Sequence, residues 1–103
     1  MLEIELPQPI DFEWDEFNIK KSRLKHGINT EEAEQVFFND NTVFFDERHS
    51  TNEDRYQMIG TTISGKILFV AFTIRDKQIR IISARTASKK ERTHYAKQLK
   101  ENS

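Results

Sequence analysis

The feature that most constrains the fold is an unbroken apolar run at residues 67–72, Ile-Leu-Phe-Val-Ala-Phe, which lies between two turn signals. Successive side chains of a strand point to opposite faces, so a strand that is apolar at every position is buried on both faces. Ser64-Gly65 predicts a hairpin before this run, and Asp76-Lys77 predicts a turn after it. We therefore expect residues 66–74 to form a strand in the middle of the sheet.

Shorter patterns predict the other elements. Alternating or β-branched segments predict strands at residues 10–14, 42–46, 55–63 and 78–85. Helices are expected at residues 16–26, capped by Asp15 and ended by Gly27, and at residues 30–39, capped by Thr30. Ser88 and Glu91 have the spacing of a capping box that opens a last helix. The predicted fold is α+β, in the order β-α-α-β-β-β-β-α, with an antiparallel sheet of four to five strands and three helices.

Length and composition exclude several classes of protein. The 103 residues suit one small domain, here residues 10–103, preceded by an extension at residues 1–9. The sequence has no cysteine, and therefore no disulfide or thiol nucleophile. It contains no membrane-length apolar run and no signal-peptide pattern, so we expect a cytoplasmic protein. The three histidines are isolated and no glycine-rich phosphate loop is present, so we expect neither a metal site nor a cofactor.

The net charge of −1 conceals a strong segregation of charge. Residues 1–19 carry six acids and no Lys or Arg, and residues 28–54 carry eight acids against the single Arg48. Residues 20–26 hold four basic residues without an acid, and residues 75–97 hold eight against Asp76 and Glu91. If the two basic segments meet, they form a positive face for a polyanion; otherwise each is an ordinary solvated surface.

RNA is one polyanion that such a positive face would hold. Its cleavage without a metal ion needs a proton-transfer group and cations that face the phosphate. His26 beside Lys25 has the right chemistry, although it would equally cap the C-terminus of the predicted helix. Arg55 and Arg85 begin and end neighbouring strands, where each would hold either a phosphate or an acid such as Glu53 or Asp46. Strand alternation predicts that Arg80 and Arg85, five residues apart, project to opposite faces.

Two tyrosines have a similar ambiguity. Tyr56 and Tyr95 would stack on bases or, as their positions favour, lie in or beside the core.

A series of motifs resembles the BrnT family of toxins. The matching segments, in order, are Phe12-Glu13-Trp14-Asp15, Lys25-His26-Gly27-Ile28, Glu32-Ala33 with Val36-Phe37, Glu53-Asp54-Arg55-Tyr56 with Gly60, Leu68-Phe69-Val70, and Arg80-Ile81-Ile82-Ser83-Ala84-Arg85 followed by Ala87 and Glu91-Arg92. Each motif is weak alone, but the series covers about residues 10–97. The extension Met1–Pro9 is outside the family pattern.

The resemblance implies a RelE-like ribonuclease that halts translation and is neutralised by a DNA-binding, BrnA-like antitoxin encoded beside it. Promoter DNA would then be bound only through the antitoxin. Transferred to this chain, the family's polar positions identify catalytic candidates at Lys25, His26, Arg55 and Arg85. Arg80, Lys89 and Arg92 are candidates for RNA binding, and Glu91 for support. The alternative from the charge pattern is a non-catalytic module whose basic face binds an acidic protein.

Overall fold

The computed structural model describes residues 4–14, the backbone of residues 23–24, and residues 27–101. Its elements, in chain order, are β1 (Arg23–Leu24), α1 (Thr30–Gln35), β2 (Asn41–Phe45), a 3₁₀ turn (Glu47–His49), β3 (Arg55–Thr61), β4 (Ile67–Arg75), β5 (Gln78–Thr86) and α2 (Lys89–Glu101). No helix within these residues is both long enough and apolar enough to cross a membrane.

The sheet has the order β1-β5-β4-β3-β2. Strands β2 to β5 form consecutive antiparallel pairs, while the short β1 runs parallel to β5. The apolar run lies in β4, between β3 and β5, as the sequence predicts. Asp76 and Lys77 both have positive φ in the turn between β4 and β5, which is the geometry of a tight two-residue hairpin.

The sheet separates two apolar clusters. On one face, which we call the α1 face, Met58, Val70, Phe72 and Ile81 pack with Val36 and Phe37 beside α1. On the other, which we call the α2 face, Ile59 and Phe69 pack with Tyr95 and Leu99 of α2. The chain thus has the layers on both sides of the sheet that the doubly apolar strand requires.

The predicted arrangement is wrong in its number of helices and in its order. The described residues contain two α-helices, not three, and residues 23–24, which were expected to be helical, form β1. Asp15 and most of the predicted helix at residues 16–26 lie outside the described residues. The predicted strand at residues 10–14 contributes only a single bridge, between Phe12 and Ile79.

The outer edge of β5 explains these differences. Ile79 donates its N–H to Asp11 O at 2.8 Å and accepts from Glu13 N–H at 2.9 Å, while β1 pairs with Ser83 and Ala84. Backbone N–H and C=O groups on a sheet edge need hydrogen-bond partners. Pairing with β5 therefore outweighs the local preference of residues 23–24 for helix.

Helix α1 also differs in its limits. Its cap is Asn29, not Thr30: the Asn29 side chain accepts the Glu32 N–H at 2.8 Å, and the Glu32 carboxylate accepts the Asn29 N–H at 3.3 Å. The helix ends at Gln35 rather than near Asn39. The Asn41 side-chain amide donates to Val36 O at 2.9 Å and satisfies a carbonyl that the early end leaves open.

Candidate functional site

Strand register places four arginines on the α2 face. Thr73 of β4 is directly opposite Arg55 on one side and Arg80 on the other, and Phe69 is opposite Arg85. Directly opposed residues share a face, and Phe69 belongs to the cluster under α2. Arg75, two residues beyond Thr73, points the same way. Arg55 and Arg80 are two strands apart, roughly 10 Å by strand spacing.

A β-bulge brings Arg80 and Arg85 to the same face. Phe72 is paired with Ile81 but Ala71 with Ser83, so Ile82 is an extra residue in β5. The bulge reverses the alternation of side chains, which is why Ala84 packs in the same cluster as Ile79 and Ile81. The prediction that the two arginines project to opposite faces is therefore wrong.

Arg85 is held by the last helix. Its two terminal nitrogens donate to the two carboxylate oxygens of Glu91, each at 2.7 Å, and its guanidinium lies 4.3 Å from the centre of the Phe69 ring. Glu91 also accepts the Ser88 N–H at 2.8 Å, and Ser88 Oγ accepts the Glu91 N–H at 3.2 Å, so the predicted capping box is confirmed. Hydrogen bonding to Glu91 raises the pKa of Arg85, and the bond from Arg85 lowers the pKa of Glu91. The acids suggested for Arg85, Glu53 and Asp46, bind elsewhere.

Arg55 differs from the other three arginines of this face. Arg75 pairs with Glu53 at 3.0 Å, and Arg80 pairs with Glu13 at 3.1 Å. Within the described part of the chain, the guanidinium of Arg55 makes no hydrogen bond or ion pair, although its side chain is partly buried. Thr73, directly opposite Arg55 on β4, donates its hydroxyl to Asp54 O at 2.7 Å. Arg55 is thus a cation that can still bind an anion.

A histidine–carboxylate pair lies next to Arg55. His49 Nδ1 is 2.8 Å from Asp46 Oδ2, and the His49 N–H donates to Asp46 Oδ1 at 3.3 Å. Burial raises the pKa of Asp46, but bonds from His49 and Gln57 outweigh burial and leave this pKa below its ordinary value. Sequence reasoning missed this pair. The spacing Asp-x-x-His within a turn is the signal that would have indicated it.

The comparison with protein families identifies the chain. A family model described as "Ribonuclease toxin, BrnT, of type II toxin-antitoxin system" matches residues 14–91, which is most of the sequence and includes Arg55, Arg80, Arg85 and Glu91. This chain belongs to the BrnT family. The resemblance drawn from the motifs is confirmed, and the chain is a ribonuclease toxin of the type II class, which implies an antitoxin partner and an RNA target. A search of curated proteins finds no match.

Two catalytic candidates of this BrnT toxin, Lys25 and His26, lie outside the described residues. The backbone of Arg23 and Leu24, immediately before them, pairs with Ser83 and Ala84 between Arg80 and Arg85. The described part of the first basic segment, residues 23–24, therefore lies beside the second at β5. Among the residues that the structure describes, no three His, Cys, Asp or Glu side chains are grouped to hold a metal ion.

Helix α2 adds further positive charge next to this face. Lys89, Lys90 and Lys97 line an open groove along the helix, and Arg92 is exposed nearby in sequence. The two tyrosines, Tyr56 and Tyr95, pack in or beside the core, as the sequence predicts. Tyr95 is buried and donates its hydroxyl to Asp40 O at 2.9 Å, and Tyr56 stacks on Phe72.

Proposed function

We propose that the toxin cleaves RNA at the α2 face where β3 begins, with Arg55 binding the phosphate that is cut. The observation that carries this proposal is the absence of a partner for Arg55 in the described chain, beside three arginines that are each paired with an acid. A guanidinium binds a phosphate through two parallel hydrogen bonds, and one without an internal partner has no ion pair to give up first.

The remaining candidates have distinct roles in this proposal. Arg85 is occupied by Glu91, so it holds α2 in place rather than binding the phosphate through its fork. Arg80, which like Arg55 is directly opposite Thr73, remains a candidate for RNA binding. Lys89 and Arg92 would bind the RNA backbone on either side of the cut. Lys25 and His26 remain predicted catalytic residues, supported by the position of β1 beside β5.

We further propose a reaction that needs no metal ion. The arginine would stabilise the charge that develops on the phosphate, and a neighbouring side chain would remove the proton from the 2′-hydroxyl. Cleavage of cytoplasmic RNA would halt translation. A DNA-binding antitoxin would neutralise the toxin by covering the basic face, and the complex would repress its own promoter.

The test is Arg55→Ala in the purified toxin. Loss of one electrostatic donor typically reduces turnover by roughly 10²–10³-fold, and we expect that reduction in cleavage of a long mixed-sequence RNA. Because the Arg55 guanidinium has no partner in the described chain, the melting temperature should stay close to that of the wild type. Induction of the variant in cells should no longer arrest growth.

The matched control is Arg75→Ala, which removes an exposed arginine from the same face. It loses only a surface ion pair with Glu53, worth about 0–1 kcal/mol, and should cleave at nearly the wild-type rate. A folded Arg55→Ala protein with wild-type cleavage would disprove the assigned role. A wild-type toxin that binds RNA or an acidic protein but never cuts RNA would support the alternative of a non-catalytic module.

A further inference from the structure

We propose that His49, oriented by Asp46, is the general base that removes the proton from the RNA 2′-hydroxyl. This inference rests on the proposed function and adds a residue to the same site. It starts from the position of the 3₁₀ turn, which is fastened to the backbone of Arg55 on both sides of His49. Asp46 N–H donates to Arg55 O at 2.8 Å, and Ser50 Oγ accepts the Arg55 N–H at 2.9 Å.

The pair also shares the face of the proposed site. Phe45, the last residue of β2, is opposite Tyr56, whose ring packs with the α1 cluster. Asp46 follows Phe45 and Arg55 precedes Tyr56, so both lie on the α2 face. Asp46, Arg55, Thr73 and Arg80 consequently form one row across four chain segments. Gln57, one step along β3 on that face, helps to lower the pKa of the Asp46 carboxyl.

The hydrogen bond to Asp46 determines which nitrogen of His49 can act. The Asp46 side chain is only 11% exposed and is ionised at neutral pH, so it can only accept, and Nδ1 must carry the proton. In the neutral ring, Nε2 then keeps its lone pair. The His49 side chain is 63% exposed, so this nitrogen is accessible to a polymeric substrate, and the carboxylate stabilises the imidazolium once it forms.

The step balances without a further reagent. Nε2 takes the proton of the 2′-hydroxyl, the 2′-oxygen forms a bond to phosphorus, and the bond from phosphorus to the 5′-oxygen breaks. The departing oxygen takes a proton from water, and the imidazolium releases its proton to the resulting hydroxide. The products are a 2′,3′-cyclic phosphate and a free 5′-hydroxyl. Arg55 binds the phosphate oxygens throughout.

The charged residues of the turn and of the adjoining start of β3 are Asp46, Glu47, Arg48, Asp54 and Arg55. Of these, Asp46 is the group that hydrogen bonds to the ring, so its replacement should remove the partner that holds the proton on Nδ1. If Asp46 only capped the turn, a folded variant would cleave at the wild-type rate.

The experiment measures kcat/KM for cleavage of a mixed-sequence RNA by the full-length toxin between pH 5 and 8, in five proteins. These are the wild type, His49→Gln, Asp46→Asn, His26→Gln and the control Glu47→Gln, which removes a charge from the same turn. General-base catalysis contributes about 10²–10⁴-fold. We expect a loss of that size in His49→Gln together with disappearance of the acidic limb of the profile. Asp46→Asn should lower kcat rather than raise KM, because the ring loses the acceptor that fixes its proton on Nδ1. Glu47→Gln should retain both the rate and the limb.

Thermal melts of each protein separate folding from chemistry. If Asp46→Asn does not fold, His49→Gln alone tests the role of His49. The His49 side chain is mostly exposed, so its replacement should not prevent folding. A folded His49→Gln toxin with the wild-type rate and limb, or loss of the limb only in His26→Gln, overturns the role of His49 and leaves the role of Arg55 intact. If Arg55→Ala also cleaves normally, the proposed site itself fails.

Discussion

Glu91 combines two stabilising contacts in one side chain. It completes the cap of α2 through Ser88 and binds both terminal nitrogens of Arg85. Both contacts require the ionised carboxylate as an acceptor, which is why its pKa lies below the ordinary 4.5. A carboxylate whose pKa is lower in the folded state stabilises the fold above its unfolded pKa. That stability is lost as the pH falls through the folded value.

The corresponding prediction concerns Glu91→Gln. We expect the free energy of unfolding at pH 7 to fall by about 1 kcal/mol, because a cap and a half-exposed ion pair are weakened together. The difference from the wild type should shrink as the pH falls below 4.5, since the wild type then loses the same charge. Urea unfolding at several pH values measures both effects. The control is Glu101→Gln, at the exposed far end of the same helix; an equal pH dependence of stability in the two variants would contradict the assignment.

Helix α2 packs on the core through one side and carries exposed basic residues on the others. Tyr95 anchors it over β2 and β3, where its hydroxyl meets Asp40 O and Thr61 Oγ1. The exposed sides of the same helix carry Lys89 and Arg92. Because Lys89 and Arg92 are exposed and make no part of the core, changing them should leave folding intact.

We therefore predict that the double variant Lys89→Ala/Arg92→Ala binds RNA more weakly while melting normally. Each lost phosphate contact lowers the slope of log affinity against log salt by about 0.7 for single strands, so two contacts should reduce the slope by about 1.4. Fluorescence anisotropy with a labelled single-stranded RNA over a range of salt concentrations measures this change. Lys66→Ala is the control, because Lys66 is paired with Glu32 of α1 at 2.7 Å. Unchanged affinity and slope in the double variant would rule out α2 as part of the RNA path.

Among the described residues, acids from distant parts of the chain pair with arginines of the α2 face. The acidic N-terminal segment supplies Glu13 to Arg80, and Glu53 before β3 pairs with Arg75. Arg55 has no such partner among the described residues, and exposed basic residues lie on α2. In the proposed mechanism, Arg55 would stabilise the charge on the phosphate, and His49 with Asp46 would transfer the proton.

For the whole toxin, we predict that cleavage of RNA continues in excess EDTA. The products should carry 2′,3′-cyclic phosphate or 3′-phosphate ends, because the 2′-hydroxyl is the nucleophile. End-labelling of the fragments before and after phosphatase treatment identifies these ends. Complete inhibition by EDTA that added Mg²⁺ reverses, with 3′-hydroxyl ends, would instead indicate a metal-activated water.

The sequence by itself determined what depends on residues close together in the chain. The central strand, the Asp76-Lys77 turn and the Ser88–Glu91 cap follow from patterns a few residues long, and the family follows from ordered motifs. Only the tertiary structure decided what depends on distant partners. The bulge at Ile82 places Arg80 and Arg85 on one face, the edge of β5 recruits residues 23–24 as a strand, and pairing with acids leaves Arg55 available. Strand register and ion pairing are set by the whole sheet, and no local pattern contains that information.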